Sequence, residues 1–207
     1  SYAPDQIETY FHGATCHRFA IACHAIGDEA NTIVLNAAAS THAHGSIEHA
    51  QMLKPADITR FAKLGLTASI QPQHAMDDRD VITRFWANPG GTPYAFKALH
   101  DAGVRLRMGS DAPVAPLDPW MAISAAVFGT ESSDREPFQP EQCLDARTAL
   151  AASTAVGRDR PEPGDSADLV LLDRDPYAVS TPEEMRAMPV AATMLAGRWT
   201  YSSLHGE

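Results

Sequence analysis

The chain has 207 residues, with 16 Lys and Arg against 26 Asp and Glu for a formal net charge of −10. That length suits one large domain or a domain with an appendage, and the excess of acid argues against nucleic acid and anionic membrane as partners. At 44% hydrophobic and 20% charged, with no apolar run long enough to cross a bilayer, the composition reads as that of an ordinary globular protein.

Cys16, Cys23 and Cys143 are an odd number without metal-type spacing. They fit a reducing, cytoplasmic compartment and no disulfide framework. No secretory signal precedes the first helix. Ser1-Tyr-Ala-Pro runs straight into a helix start and reads as the interior of a longer protein.

Pro4-Asp5 opens a helix that Ile7, Tyr10 and Phe11 carry to about His17. Arg18 to Cys23 is a first strand, which runs into His24-Ala-Ile-Gly-Asp28. Glu29 to Ala39 is helical, with Ile33, Val34 and Leu35 facing inward. A polar loop from Ser40 to Gly45 leads to the strand Ser46 to Glu48, and on to His49-Ala-Gln51. Pro55 to Gly65 is a helix with Pro in its first turn and Gly at its end. Leu66 to Gln71 is a third strand, followed by Pro72-Gln73-His74. A long excursion through Asn88-Pro-Gly-Gly91 then leads to a helix over Pro93 to Gly103. Val104 to Met108 is a fourth strand. Gly109-Ser110-Asp111 leaves it tightly, and Pro113, Pro116 and Pro119 bar an immediate helix or strand.

This alternation implies parallel strands with right-handed crossovers. Four such βα units are half of a (β/α)8 barrel or a small doubly wound sheet. After Pro119 the pattern changes. Trp120 to Phe128 and Pro140 to about Ala155 are helical, and Arg158 to Gly164 is a turn-rich linker. Ala167 to Asp173, Val190 to Leu195 and Arg198 to Tyr201 are strands, the last two joined as a hairpin at Ala196-Gly197. Residues 1–157 therefore form the α/β unit, and residues 158–207 a separate β-rich one.

Three ligand-type side chains follow strand C-termini: His24, His49 and Asp111. In a parallel sheet or barrel those ends share one face, so residues distant in sequence converge there. Imidazole and carboxylate suit a divalent first-row metal such as zinc. A metal so held lowers the pKa of water towards neutrality, with a carboxylate placed to take its proton. A single histidine after a strand is most often a satisfied loop residue; three independent strand ends favour the metal. His74 stands at the same end and reads equally well as a substrate contact or a hydrogen-bonded loop histidine. His42 and His44 form a His-x-His pair at the opposite end of their strand and read as surface residues. Asp28 reads as a helix cap, and Glu48 as a group that orients a neighbouring ligand.

The segments CHAIGDEA, SIEHAQ, SIQPQH and MGSDAPV, in that order, closely resemble the amidohydrolase superfamily. The nearest subgroup is the one that includes N-substituted formamide deformylases and related metal-dependent hydrolases. EPGDSADLVLLDRDP resembles the family's C-terminal segment, where the chain returns to a small β-sandwich beside a TIM-type barrel. The resemblance implies that His24 and His49 bind metal after the fifth and sixth barrel strands. It also implies that Asp111, after the eighth, binds metal and shuttles the proton of the attacking water, and that His74, after the seventh, faces substrate. The implied activity is hydrolysis of C–N bonds in small amides or formamides with a divalent metal, zinc first among them.

Three departures stand beside the match. The family's His-x-His pair on the first strand and its lysine or acid on the fourth have no counterpart here, and the linker between Ala155 and Asp168 is short for the family. The chain thus matches a C-terminal half-barrel and is expected to be inactive alone. Open sheet edges and an uncovered core predict a homo-oligomer or association with a missing N-terminal half. One alternative is a non-catalytic half-barrel that serves as a binding or assembly module. Another is a doubly wound α/β protein without metal, which would hold His24, His49 and Asp111 too far apart to converge.

Overall fold

Proline and glycine punctuate the chain, and they bound many of its elements in the computed structural model, which describes residues 2–86 and 90–204. The first half runs α1 (Pro4–Cys16), β1 (Ile21–Ala25), α2 (Asp28–Thr41), β2 (Gly45–His49), β3 (Met52–Leu53), α3 (Pro55–Leu64) and β4 (Thr67–Ile70). Then come α4 (Pro72–Phe85), β5 (Thr92–Pro93), α5 (Phe96–Asp101), β6 (Leu106–Met108), α6 (Pro119–Phe128) and α7 (Ala146–Ser153). The C-terminal part holds β7 (Leu169–Leu172), α8 (Pro182–Arg186), β8 (Val190–Leu195) and β9 (Arg198–Ser202).

Among the described residues, β1-β2-β4-β6 form one sheet in that order, every pair parallel. The fold is a mixed α/β fold on a parallel sheet. A short antiparallel ladder joins β3 to β5, and β7-β8-β9 form an antiparallel sheet.

The register sorts the side chains by face. His24 lies beside Glu48, Glu48 beside Ser69, and Ser69 beside Arg107, a polar row across the sheet. The adjacent row is Cys23, Ile47, Ala68 and Leu106, and it faces the helices. There Ile47 packs in one buried cluster with Val34 and Leu35 of α2, Phe61 of α3 and Leu99 of α5. Each of these large side chains contributes roughly 1.5–3 kcal/mol by leaving water.

Local signals set the helix ends. Pro55 opens α3 and Gly65 closes it at φ 66°. Asp118 accepts from the Trp120 amide at the start of α6, and Asp145 from the Thr148 amide at the start of α7. Gly45 opens β2 at φ 141°, where a β-carbon would stand 2.0 Å from the Ile21 carbonyl oxygen. Only glycine lets β1 and β2 approach there.

Several expected boundaries shift. β1 starts at Ile21, after Arg18 has turned through a left-handed conformation, so His24 lies inside the strand and not beyond it. The excursion after His74 is largely the helix α4, whose run Asp77-Asp78-Arg79-Asp80 is helical and not loop. Asn88 and Pro89 of that excursion lie outside the described residues. The helix expected from Pro93 is confined to Phe96–Asp101, because Thr92–Pro93 pairs with Met52–Leu53. Gly27, not Asp28, caps α2, and Asp28 is its first helical residue.

The C-terminal sheet is tied to the α/β part through α8. Ser124 of α6 donates to the Pro182 carbonyl at 3.1 Å, and Met185 is fully buried. Arg186 reaches Glu131 at 3.4 Å, and Gln73 donates to the same Glu131 oxygen at 2.7 Å.

Candidate metal centre

β2 delivers His49 as its last residue, in register with the buried Ala25. Strand alternation alone would keep it on the helix-covered face. His49 and Ala50 instead take φ values of 72° and 45°, and the alternation breaks. The His49 ring lies 4.3 Å from that of His24, centroid to centroid, at 64°. On its other side stands His74, from the first turn of α4, with centroids 5.6 Å apart and the planes 21° from parallel. Asp111, three residues beyond β6, is also left-handed at φ 54°, and its Oδ2 lies 3.8 Å from His49 Nε2. Three non-glycine residues in this region cost roughly 1–3 kcal/mol each, and such strain concentrates at functional sites.

His49, His74 and Asp111 each offer a donor atom, and these atoms all lie within 4.8 Å of one another. His24 stands outside that set, against His49. His49 is 8% exposed and the Asp111 side chain 45%, so the cluster has a closed floor and an open rim. Burial, and then the neighbouring His24, hold the pKa of His49 below its ordinary 6.5, and Asp111 pulls the other way. Its ring is therefore neutral at pH 7, the state that offers a lone pair to a metal. His49 Nδ1 and His74 Nε2 are buried with no hydrogen-bond partner among the described residues. Unpaired buried nitrogens are costly unless something else satisfies them. Two imidazoles and a carboxylate are a donor set that a divalent cation fits.

A model of the amidohydrolase family matches residues 1–201. The chain belongs to the amidohydrolase family. Protein LONG AFTER FAR-RED 3 of Arabidopsis thaliana is 29% identical to it over 216 residues, covering 96% of this chain and 37% of that protein. N-substituted formamide deformylase of Arthrobacter pascens is 28% identical over 199 residues, covering 87% of this chain and 36% of that enzyme. An uncharacterized metal-dependent hydrolase from Pyrococcus horikoshii matches in structure with a TM-score of 0.75 at 28% identity, over 86% of this chain and 38% of that one. This amidohydrolase chain thus spans 36–37% of the length of these two curated relatives. The resemblance carried by the four motifs is to the right family, and the relatives include a formamide deformylase.

His24, His49, His74 and Asp111 all gather at one end of the parallel sheet. His74 joins the metal-capable set and is 8% exposed, in a helix and not a loop. His42 and His44 are exposed before β2, and His42 closes α2 in a left-handed conformation. Glu48 accepts a hydrogen bond from the Ser46 hydroxyl.

Asn31 is not among the residues expected to matter at the site. It is fully buried in α2, and its Nδ2 donates to the carbonyls of Gly27 at 2.9 Å and of Ala25 and Met52 at 3.1 Å. It therefore binds the end of β1 to the segment that follows His49. Asp28 and Glu29 precede it and Thr32 follows it, so nothing in the local sequence marks it as buried.

Proposed function

We propose that the intact protein hydrolyses C–N bonds of small amides or formamides with a divalent metal, zinc, at the cluster of His49, His74 and Asp111. The observation that carries this reading is the convergence, at one end of the parallel sheet, of a carboxylate and two buried imidazoles, each with one nitrogen that has no hydrogen-bond partner among the described residues. Metal at such a site polarises a carbonyl and brings water towards a neutral pKa. His24, expected as a ligand, packs against the ring of His49 beside this set. Asp111 is the general base: its half-exposed carboxylate takes a proton from the attacking water and returns it to the leaving nitrogen. The buried imidazoles exclude solvent from one side, so substrate enters over Asp111. That the A. pascens relative is an N-substituted formamide deformylase supports the substrate class.

In this reading the parallel sheet is half of a (β/α)8 barrel, with residues 1–157 its barrel part and residues 158–207 its β-sandwich segment. Among the described residues β1 and β6 each pair on one side only, and the polar row from His24 to Arg107 lies on the face away from the helices. A further segment of the longer protein, or a second copy, closes the barrel over that face, and the chain alone is inactive. The setting is the cytoplasm, with small molecules and not membranes or nucleic acid as partners. Among the described residues no helix is long and apolar enough to cross a membrane.

The test is release of amine and formate from a panel of N-substituted formamides and small amides by the intact, zinc-loaded protein. Turnover that chelation removes and zinc restores is the expected result. A metal-loaded protein inert towards the whole panel would count against the substrate class.

A further inference from the structure

Two consecutive left-handed residues, His49 and Ala50, need an anchor on their far side, and the next residue supplies it. Gln51 is 4% exposed, and its Nε2 donates to Asp78 Oδ2 at 2.9 Å. The Tyr94 hydroxyl donates to the same oxygen at 2.7 Å, and the Tyr94 amide donates to the Gln51 carbonyl at 2.6 Å. Asp78 lies four residues after His74 on α4, so the two share a helix face one turn apart. One carboxylate therefore links the segment that carries one buried imidazole to the helix that carries the other. Among the described residues no Lys, Arg or His forms an ion pair with Asp78. Its charge is spent on these two neutral donors, which makes both hydrogen bonds charge-assisted and strong.

We propose that Asp78 is the positioning residue that sets His49 against His74, acting through Gln51, so that the pair receives a divalent cation without rearrangement. The proposal rests on the metal reading above. Asp78 touches neither substrate nor metal in this role. It holds the backbone of one ligand segment and belongs to the helix of the other, so its loss lets the two imidazoles drift apart. Outer partners of metal ligands commonly govern affinity by 10–100-fold.

The experiment is a titration of the metal-stripped intact protein with Zn2+ against a chromophoric chelator, with the thermal midpoint recorded on the same samples. Asp78→Ala and Gln51→Ala each weaken Zn2+ binding by about 10–100-fold. The double variant is no weaker than the weaker single one, because both cut the same link. Asp78→Asn keeps an oxygen for Gln51 and recovers most of the affinity. If Asp78→Ala fails to fold, Gln51→Ala decides the question by itself. Wild-type affinity in the folded single variants, whatever their midpoints, overturns the proposal and leaves the metal centre standing, as do additive losses in the double variant. A wild-type protein that binds no Zn2+ overturns the metal reading itself.

Discussion

His49 Nε2 and Asp111 Oδ2 lie 3.8 Å apart although their strands, β2 and β6, do not pair and β4 runs between them. Both residues reach this position by leaving the extended conformation for the left-handed one. The site is thus made by backbone turns at strand ends, and the sheet beneath it sets the spacing.

Asp111 is half exposed and outside regular structure, so Asp111→Asn changes stability by no more than about 0.5 kcal/mol. Loss of the base lowers turnover of the intact protein by roughly 10²–10⁴-fold. Steady-state kinetics beside a thermal melt separate the two effects, and retained activity removes Asp111 from the chemistry.

The helical Asn31 makes a sharper stability prediction. Asn31→Ala leaves the carbonyls of Ala25, Gly27 and Met52 without that donor in a buried place. The expected loss is roughly 1–3 kcal/mol in chemical denaturation. A midpoint equal to wild type would mean that these carbonyls find other partners.

Gly45→Ala tests the approach of β1 to β2. The added methyl group would sit 2.0 Å from the Ile21 carbonyl oxygen, with the backbone at φ 141°. The strands must separate to admit it. We expect failure to fold, seen as insoluble protein or lost far-ultraviolet dichroism, whereas a well-folded variant would contradict the pairing.

The junction between α8 and the loop after α6 responds to acid. The Ser133 amide and hydroxyl, at 2.6 and 2.7 Å, hold the Glu183 carboxyl down to about 2 from its ordinary 4.5. Between those values the unfolded chain binds the proton and the folded one does not. The contribution is therefore full above pH 4.5 and is lost as the pH falls towards 2. An NMR titration of Glu183 should show the low midpoint, and Glu183→Gln should remove this share of the acid sensitivity. A midpoint near 4.5 would contradict the contact.

Much of this was legible in the sequence because periodicity and punctuation are local. The alternating strands, Pro55 to Gly65 as a helix, and the hairpin at Ala196-Gly197 all follow from signals within a few residues. The gathering of His24, His49, His74 and Asp111 followed from strand ends sharing one side of a parallel sheet. What stayed hidden depends on distant partners. No element is expected in the excursion after His74, yet it is largely a helix in which the run Asp77-Asp78-Arg79-Asp80 lies between the buried Met76 and Ile82, with Pro72 as the start signal. Nothing local marks the left-handed pair His49-Ala50, which the Gln51–Asp78 contact and the ladder beyond it hold. Asn31 likewise shows its purpose only once the carbonyls of β1 and β3 are in place around it.

The most direct test of the metal centre is elemental analysis of the purified intact protein and of its His49→Ala/His74→Ala double variant. The account predicts near-stoichiometric zinc or another divalent metal in the wild type and a large loss of it in the variant. Undiminished metal in the folded variant, or a metal-free wild type that still cleaves a formamide, would contradict it.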